Sequence, residues 1–415
     1  MSDEVLLETP LDDSYSDVLD TAQALQGAQV QLESLLTATE SLESLVRHLD
    51  THSIDSDAHR DAVVVSVESL LAGTGLAVDE FVPELDGVVS TESLKDRLKE
   101  LWKRLVNMVL TVLRMIRSYW QKVATYRGQL RLAAGVLDKR AAAKRLATVR
   151  MPNIDLGMEI KTFVVGGNVV TDPDALIRSI SAALDQYKIL TTHYGKRTLE
   201  LGKAFESLLQ NSATGADMLN QVNRLFTEQL PFEEVASKVK AMAYRDPRFG
   251  RRLALAAPAT LGGWSLFILL LEDAQRAKID SDPIAYAQAL RTTGVKFVLS
   301  NVNISNITQG TVRTASGMQV QSLAKRVIEI LDLIDAQERV MVSNRIENQV
   351  KNVLKAGERY QSSLGGSGTV YDESVLRFVR NYSNWAFGPV DQMTTNLLTV
   401  SRNLLTYGRK SLVTY

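Results

Sequence analysis

The histidines are the first residues whose type and spacing could do chemistry. The chain has four of them and no cysteine, which excludes disulfides, thiolate zinc sites and cysteine nucleophiles. His48 and His52 stand four residues apart among aspartates, a spacing that places two imidazoles on one helix face. No HExxH-type glutamate separates them, so we interpret this segment as a solvated acidic stretch and expect no metal. His193 has no orienting partner that the sequence identifies, so it is not predicted to be a general base.

A glycine-rich stretch, Ser362 to Thr369, is the second candidate for chemistry. It has the glycines of a phosphate-binding loop, but it lacks the lysine and the preceding apolar strand, so it is typical of a linker. No catalytic pair of carboxylates stands out. We therefore predict no enzymatic activity, no cofactor and no small-molecule substrate. An enzyme built from Asp/Glu, Lys, Tyr or a lone His stays an alternative class, because active sites need no motif.

The composition is that of a soluble globular protein. Of 415 residues, 45% are hydrophobic and 23% charged, which excludes a wholly disordered chain and suggests two or three domains. No run approaches the roughly 20 uncharged apolar residues of a membrane span, and the N-terminus is acidic where a signal peptide is basic. We expect neither a membrane span nor secretion by a cleaved signal.

Acidic and basic residues are divided between two parts of the chain. Residues 1–92 hold 20 Asp/Glu against two Arg and no Lys, a balance of −18. Residues 93–415 hold 45 Lys/Arg against 28 Asp/Glu, a balance of +17, although the whole chain has a net charge of only −1. This asymmetry indicates binding to a polyanion, or masking of one part by the other.

A long amphipathic helix is predicted from Ser93 to Tyr126, with Ser90 as its N-cap. At 100° per residue its apolar positions fall within an arc of about 140°. They are Leu94, Leu98, Leu101, Trp102, Leu105, Val106, Val109, Val112, Leu113, Ile116, Trp120 and Val123. This stripe is interpreted as packing on the body of the protein. Binding to a membrane or to a partner helix are the alternatives.

Basic residues cover the other side of this helix and the alanine-rich stretch after it. Residues 93–150 hold fifteen bases against three acids, which favours contact with a phosphate backbone. The candidate contacts on the helix are Lys99, Lys103, Arg104, Arg114, Arg117 and Lys122. The second group is Arg127, Arg131, Lys139, Arg140, Lys144 and Arg145.

The remaining patterns predict a mainly α fold with a small β component, an α+β chain. Residues 1–50 are expected to form helical patches, and a hairpin is predicted around Gly166 and Gly167. Strands are predicted at 252–257, 264–271 and 295–302, and helices at 175–209, 216–245 with an interruption at Pro231, 318–360 and 372–415. The predicted division is a weakly ordered acidic leader 1–92, a basic helix-rich body 93–361, a Gly/Ser linker 362–371 and a C-terminal helical segment 372–415.

The stretch from Glu92 to Val106, ESLKDRLKELWKRLV, resembles the internal head proteins of phiKZ-like giant phages, as do the acidic leader before it and the helix-rich body after it. The resemblance implies a structural virion protein whose N-terminal propeptide is removed by the phage prohead protease. In that family the protease cuts after a glutamate in a Ser/Ala/Gly-x-Glu context, and the mature body is packaged with the genome.

The cleavage site that this resemblance implies is Ser90-Thr91-Glu92, with Ser93 as the new N-terminus. Nine of the 22 glutamates match the tripeptide, five of them within residues 1–92, so the tripeptide alone does not choose among them. Only Glu92 coincides with the charge boundary and with the start of the basic helix.

The expected location is the interior of the phage head, after assembly in the host cytoplasm. The expected partners are packaged double-stranded DNA, other internal head or capsid proteins, and the prohead protease. The alternative is a membrane-active or host-directed protein that is ejected with the genome and uses its basic amphipathic helix on anionic lipid.

Overall fold

The structure is a computed structural model that describes residues 5–51, 65, 91–145, 147–245, 247–249, 253–300, 307, 310–341, 345–364 and 368–415. The described chain is mainly helical with short antiparallel strands, which confirms the predicted fold class. None of the helices in these ranges combines the length and the apolar character that crossing a bilayer requires.

The chain divides into two compact units. One comprises Met1–Leu19 and Trp120–Tyr415, and the other comprises Asp20–Tyr119. Helix α1 (Val5–Thr51) and helix α2 (Thr91–Ala143) each contribute residues to both units. The charge boundary at Glu92 lies within the sequence of the second unit. The predicted boundaries of leader, body, linker and C-terminal segment rest on charge, composition and sequence pattern, and they stay predictions.

Helix α1 is one continuous element of 47 residues, where the sequence predicted separate helical patches. Its buried apolar residues include Val18, Leu25, Leu32 and Leu36. Their spacings of seven and four residues keep one face apolar along the helix. Burial of that face stabilises a continuous helix.

Helix α2 begins at Thr91 and ends at Ala143, well beyond the predicted end at Tyr126. Its 53 residues span about 80 Å at 1.5 Å per residue. Leu105, Val109 and Ile116 are between 0% and 7% exposed, which confirms burial of the predicted stripe from Leu105 onward. The side chains of its first members, Leu94, Leu98, Leu101 and Trp102, lie outside the described residues. The stripe continues beyond the predicted end, and the alanines of this stretch favour helix. Its further buried residues are Tyr126, Leu130, Ala134, Leu137 and Ala141.

The strands are short and all of their pairings are antiparallel. They are β1 (Asn153–Asp155), β2 (Val164–Val165), β3 (Asn168–Val169), β4 (Met242–Tyr244), β5 (Leu253–Ala256), β6 (Trp264–Leu270), β7 (Gly294–Leu299) and β8 (Thr311–Arg313). Strands β4 to β7 form one sheet in sequence order, β1 pairs with β8, and β2 with β3. The hairpin predicted at Gly166 and Gly167 is confirmed, because both turn residues have positive φ angles that glycine adopts without strain.

Three predicted strands correspond to β5, β6 and β7, although residues 252, 301 and 302 lie outside the described residues. The prediction of helix up to Arg245 is wrong. The chain leaves the helical region at Lys240, which has a φ of 53°, and Met242–Tyr244 then pairs with β5. This pairing joins residues about a dozen positions apart. The prediction was wrong because helical periodicity is read from neighbouring residues and contains no information on such a pairing.

Ten further helices are found within the described residues. They are α3 (Pro173–Ile189), α4 (Gly195–Leu209), α5 (Gly215–Gln229), α6 (Phe232–Lys238), α7 (Asp273–Arg276), α8 (Pro283–Arg291), α9 (Gly317–Met341), α10 (Arg345–Ser363), α11 (Val370–Phe387) and α12 (Val390–Val413). Helix α9 packs on α3 and α12, and α11 packs on α5 and α10. Phe205, Phe226, Phe378 and Trp385 fill the space between α4, α5 and α11, with neighbouring ring centroids 4.7–6.1 Å apart.

Asp372 connects the start of α11 to two other helices. Its carboxylate accepts hydrogen bonds from the Gly215 N–H at 2.5 Å, from the Thr369 hydroxyl at 2.7 Å and from the Tyr360 hydroxyl. Burial by itself would raise the pKa of Asp372, but the hydrogen bonds from Tyr360, Thr369 and Gly215 outweigh it and lower that pKa. The contacts join the starts of α5 and α11 to the end of α10.

Candidate nucleic-acid interface

The first group of predicted phosphate contacts lies on the first two thirds of α2. Arg114 and Arg117 are exposed, whereas Arg104 and Lys122 are half-buried. The side chains of Lys99 and Lys103 lie outside the described residues. Arg114 also bonds its own helix, through the Leu110 carbonyl and the Thr111 hydroxyl, each at 3.3 Å. The described part of this group thus faces away from the buried stripe, as the sequence predicted.

Two members of the second group have acidic partners on α9. The guanidinium of Arg127 contacts Asp335 at 2.9 Å and also Glu338, and its side chain is only 13% exposed. Arg131 pairs with Asp332 at 2.7 Å. These acids stand three residues apart on α9 and meet α2 along one side. Arg127 and Arg131 therefore hold the two helices together, and their charge is compensated within the protein.

The remaining members of the second group lie at the C-terminal end of α2. Lys139, Arg140 and Arg145 are exposed. The ammonium of Lys144 donates a 2.5 Å hydrogen bond to the carbonyl of Leu412 and lies 5.9 Å from the ring centroid of Tyr415. Lys144 thus attaches the end of α2 to the end of α12, and the exposed cations lie beside this attachment.

The fold brings distant segments of the chain to this end of α2. The N–H of Arg150 donates to the carbonyl of Thr414 at 2.9 Å, and Gly317 at the start of α9 lies against the backbone of Ala141 and Lys144. Pairing of β1 with β8 places exposed Arg313 opposite Asn153. We call the resulting cluster the basic end, and it consists of Lys139, Arg140, Arg145, Arg150 and Arg313.

Two members of the basic end were not among the sequence-predicted contacts. Arg150 belongs to the basic stretch by composition, whereas Arg313 lies more than 160 residues away in the sequence and arrives only through β-pairing. No local signal could have found Arg313.

Nearby charges limit which cations remain available at the basic end. Lys410 on α12 pairs with Glu159 at 3.1 Å, so its charge is compensated. The carboxylate of Asp138 accepts from the Gln321 amide at 3.4 Å. The negative end of the α2 dipole also attracts Arg140 and Lys144, an effect that falls off within the last turn. The five cations of the basic end are exposed, so an anion in solution can reach their side chains.

His193 does have a partner in the structure. It lies in the π-helical segment Leu190–Tyr194 between α3 and α4, and its Nδ1 is 3.3 Å from the carboxylate of Glu234 on α6. Arg197 and Lys238 also approach Glu234, at 3.8 Å and 3.7 Å. All four side chains are more than a third exposed. The arrangement is a surface ion network that joins α6 to the π-helical segment and to α4.

Within the described residues no group of three or more His, Asp or Glu could hold a metal ion. The pair His48 and His52 lies outside the part of the chain whose side chains the structure describes.

Comparison with known protein families places the chain in one class of virion component. The model of the phiKZ-like phage internal head proteins matches residues 3–410, which is nearly the whole chain. The protein therefore belongs to the phiKZ-like phage internal head protein family, a family of structural proteins of the virion interior. Searches of curated proteins and of solved structures find no match.

Proposed function

We propose that this internal head protein is packaged with the genome, after the prohead protease removes its acidic leader at Glu92, and that the body then contacts the DNA backbone. The observation that carries the proposal is the basic end, whose five exposed cations belong to chain segments that backbone contacts bring to the C-terminal end of α2. Arg114 and Arg117 are further exposed cations, on the part of α2 that belongs to the other compact unit.

The proposed contact is independent of DNA sequence. Lysine and arginine side chains that neutralise phosphates release condensed counterions, and this gain does not depend on base identity. Before cleavage, the leader's −18 offsets the body's +17 and competes for the same cations. Removal of the cleaved leader thus leaves a strongly basic body in place of a nearly neutral chain.

The experiment compares two forms of the protein, the recombinant full-length chain and the protein isolated from purified particles. Retardation of double-stranded DNA is measured from 50 mM to 200 mM salt. We expect the particle-borne form to bind more tightly, with a difference that shrinks as salt rises. If the particle-borne form fails to retard DNA at 50 mM salt, the proposal is wrong, and the positive charge of the body must serve protein partners instead.

The lipid alternative is tested in the same samples by co-sedimentation with anionic liposomes. Lipid binding by α2 requires its apolar stripe to face solvent, whereas Leu105, Val109 and Val112 are fully buried. The buried stripe favours DNA or protein partners over lipid.

A further inference from the structure

We propose that residues 13–19 of the acidic leader form a docking segment that keeps the leader bound to the body after the chain is cut at Glu92. The inference rests on the proposed function, because it concerns the fate of the leader once that cleavage has occurred. The surface that receives this segment lies on α2 and α12. The segment itself is part of helix α1 and carries Tyr15.

Tyr15 is the anchor of this segment. Its hydroxyl donates a 3.0 Å hydrogen bond to the Thr399 hydroxyl, which in turn donates to the carbonyl of Thr395 at 2.9 Å. The Tyr15 ring lies 5.6 Å from the ring of Tyr126, and the Arg402 guanidinium carbon lies 4.7 Å from the Tyr15 centroid. One side chain thus combines a hydrogen bond, an aromatic contact and a cation–π contact.

Val18, one turn after Tyr15, is the buried residue of this segment. It is 0% exposed, so this turn of α1 buries a side chain as fully as the core helices do. Both residues belong to the compact unit formed by Met1–Leu19 and Trp120–Tyr415. The sequence contains a matching signal, because Tyr15 and Phe81 are the only aromatic residues among the first 92.

A cut between Glu92 and Ser93 breaks the covalent link between leader and body but leaves these contacts in place. The second compact unit, Asp20–Tyr119, also contains residues from both sides of the cut. Cleavage therefore produces a two-chain protein, and the loss of the leader's negative charge requires a separate dissociation step. The contacts of Tyr15 and the burial of Val18 slow that step.

The test uses the full-length chain with a site-specific protease sequence inserted between Gly87 and Val88. After the cut, native mass spectrometry and size-exclusion chromatography measure how fast the leader leaves on dilution. We expect the leader to stay with the cut wild-type protein. In Tyr15→Ala it should leave about tenfold faster, which corresponds to 1.4 kcal/mol. Tyr15→Phe keeps the ring contacts and should have a smaller effect. Gln26→Ala, at an exposed position of α1, is the matched control.

Two results overturn the inference: release of the leader from wild type on cutting, or equal release rates for wild type and Tyr15→Ala. Hydrogen exchange in the uncut proteins provides a second readout, with faster exchange expected at residues 395–402 in Tyr15→Ala than in Gln26→Ala. Because the inserted site replaces natural processing, these results are separate from whether the phage protease cuts at Glu92.

Discussion

The indole Nε1 of Trp120 donates a 3.1 Å hydrogen bond to Oδ1 of Asp391, which lies 271 residues further along the chain. Trp120 is 0% exposed and Asp391 is 5% exposed. Burial raises the pKa of Asp391 to about 7, and the hydrogen bond from Trp120 opposes this rise only in part. A carboxyl group that titrates near neutral pH therefore lies where α2 meets α12.

Asp391 is expected to make stability depend on pH. Its pKa is about 7 in the folded protein and about 4 when unfolded, so the folded state holds the extra proton between these values. The free energy of unfolding should then fall by up to a few kcal/mol as pH rises from 4 to 7, and change little above pH 7 from this cause. Asp391→Asn should remove this part of the slope in melting curves at pH 5 and 8. Asp185→Asn, at an exposed position, is the control, and an identical slope in wild type and Asp391→Asn contradicts the assignment.

Two glycine substitutions, one where α9 meets the end of α2 and one within α2, should have opposite effects on stability. A Cβ at Gly317 would lie 2.9 Å from the carbonyl oxygens of Ala141 and Lys144, so Gly317→Ala must displace α9 from the end of α2. We expect a loss of about 1–3 kcal/mol. A Cβ at Gly128, exposed within α2, meets nothing within 4 Å, so Gly128→Ala should gain about 1 kcal/mol of helix propensity. Chemical denaturation measures both changes, and a neutral Gly317→Ala would show that this junction is loosely packed.

The apolar stripe of α2 should not tolerate charge. Leu105 is 0% exposed, so Leu105→Asp buries an unpaired carboxylate and should cost several kcal/mol. Arg117→Gln alters an exposed position of the same helix and should change stability by less than about 0.5 kcal/mol. Thermal melting distinguishes the two variants. An unchanged melting temperature in Leu105→Asp would show that the stripe is exposed to solvent, and would favour the lipid alternative.

The basic end should contribute to DNA affinity more than its net charge alone predicts. Substituting Lys139, Arg145, Arg150 and Arg313 by Gln should weaken binding about equally on all sequences and reduce the slope of log affinity against log salt by roughly one per lost contact. The control carries four matched changes at exposed lysines elsewhere: Lys196, Lys203, Lys278 and Lys355. Equal losses in the two proteins would mean that overall charge, and no particular surface, binds the DNA.

Arg127 and Arg131, which pair with acids on α9, should contribute little to DNA binding. Arg131→Gln removes a compensated charge, so it should leave the salt slope of DNA binding nearly unchanged. A slope reduced as much as by Arg145→Gln would show that Arg131 leaves Asp332 to bind phosphate.

The particle-borne protein should begin at Ser93. Among the matching glutamates, only Glu92 joins the tripeptide to the charge boundary, and α2 begins beside it at Thr91. Mass spectrometry of purified particles checks this directly. Peptides from residues 1–92 as abundant as body peptides, with an intact Glu92–Ser93 bond, would contradict cleavage. The same residues recovered as a separate fragment would agree both with cleavage and with the docking of Tyr15.

The amphipathic pattern by itself determined the buried face of α2, from Leu105 to Val123, and the glycines determined the hairpin at Gly166 and Gly167. These features are local. The spacing of apolar side chains fixes which side of a helix leaves water, and a positive φ angle is a property of single residues. The charge boundary at Glu92 is likewise a property of composition.

Only the tertiary structure decided what each face meets. Trp120 meets Asp391, Arg127 meets Asp335, and Arg313 reaches the basic end through a strand pairing. The spacing of apolar residues predicts that a face is buried. It does not predict which residues cover that face, because those contacts join residues hundreds of positions apart. Two arginines of this region therefore have different roles. An acidic neighbour on α9 compensates the charge of Arg127, which links the two helices, whereas Arg145 follows the end of α2 and is exposed.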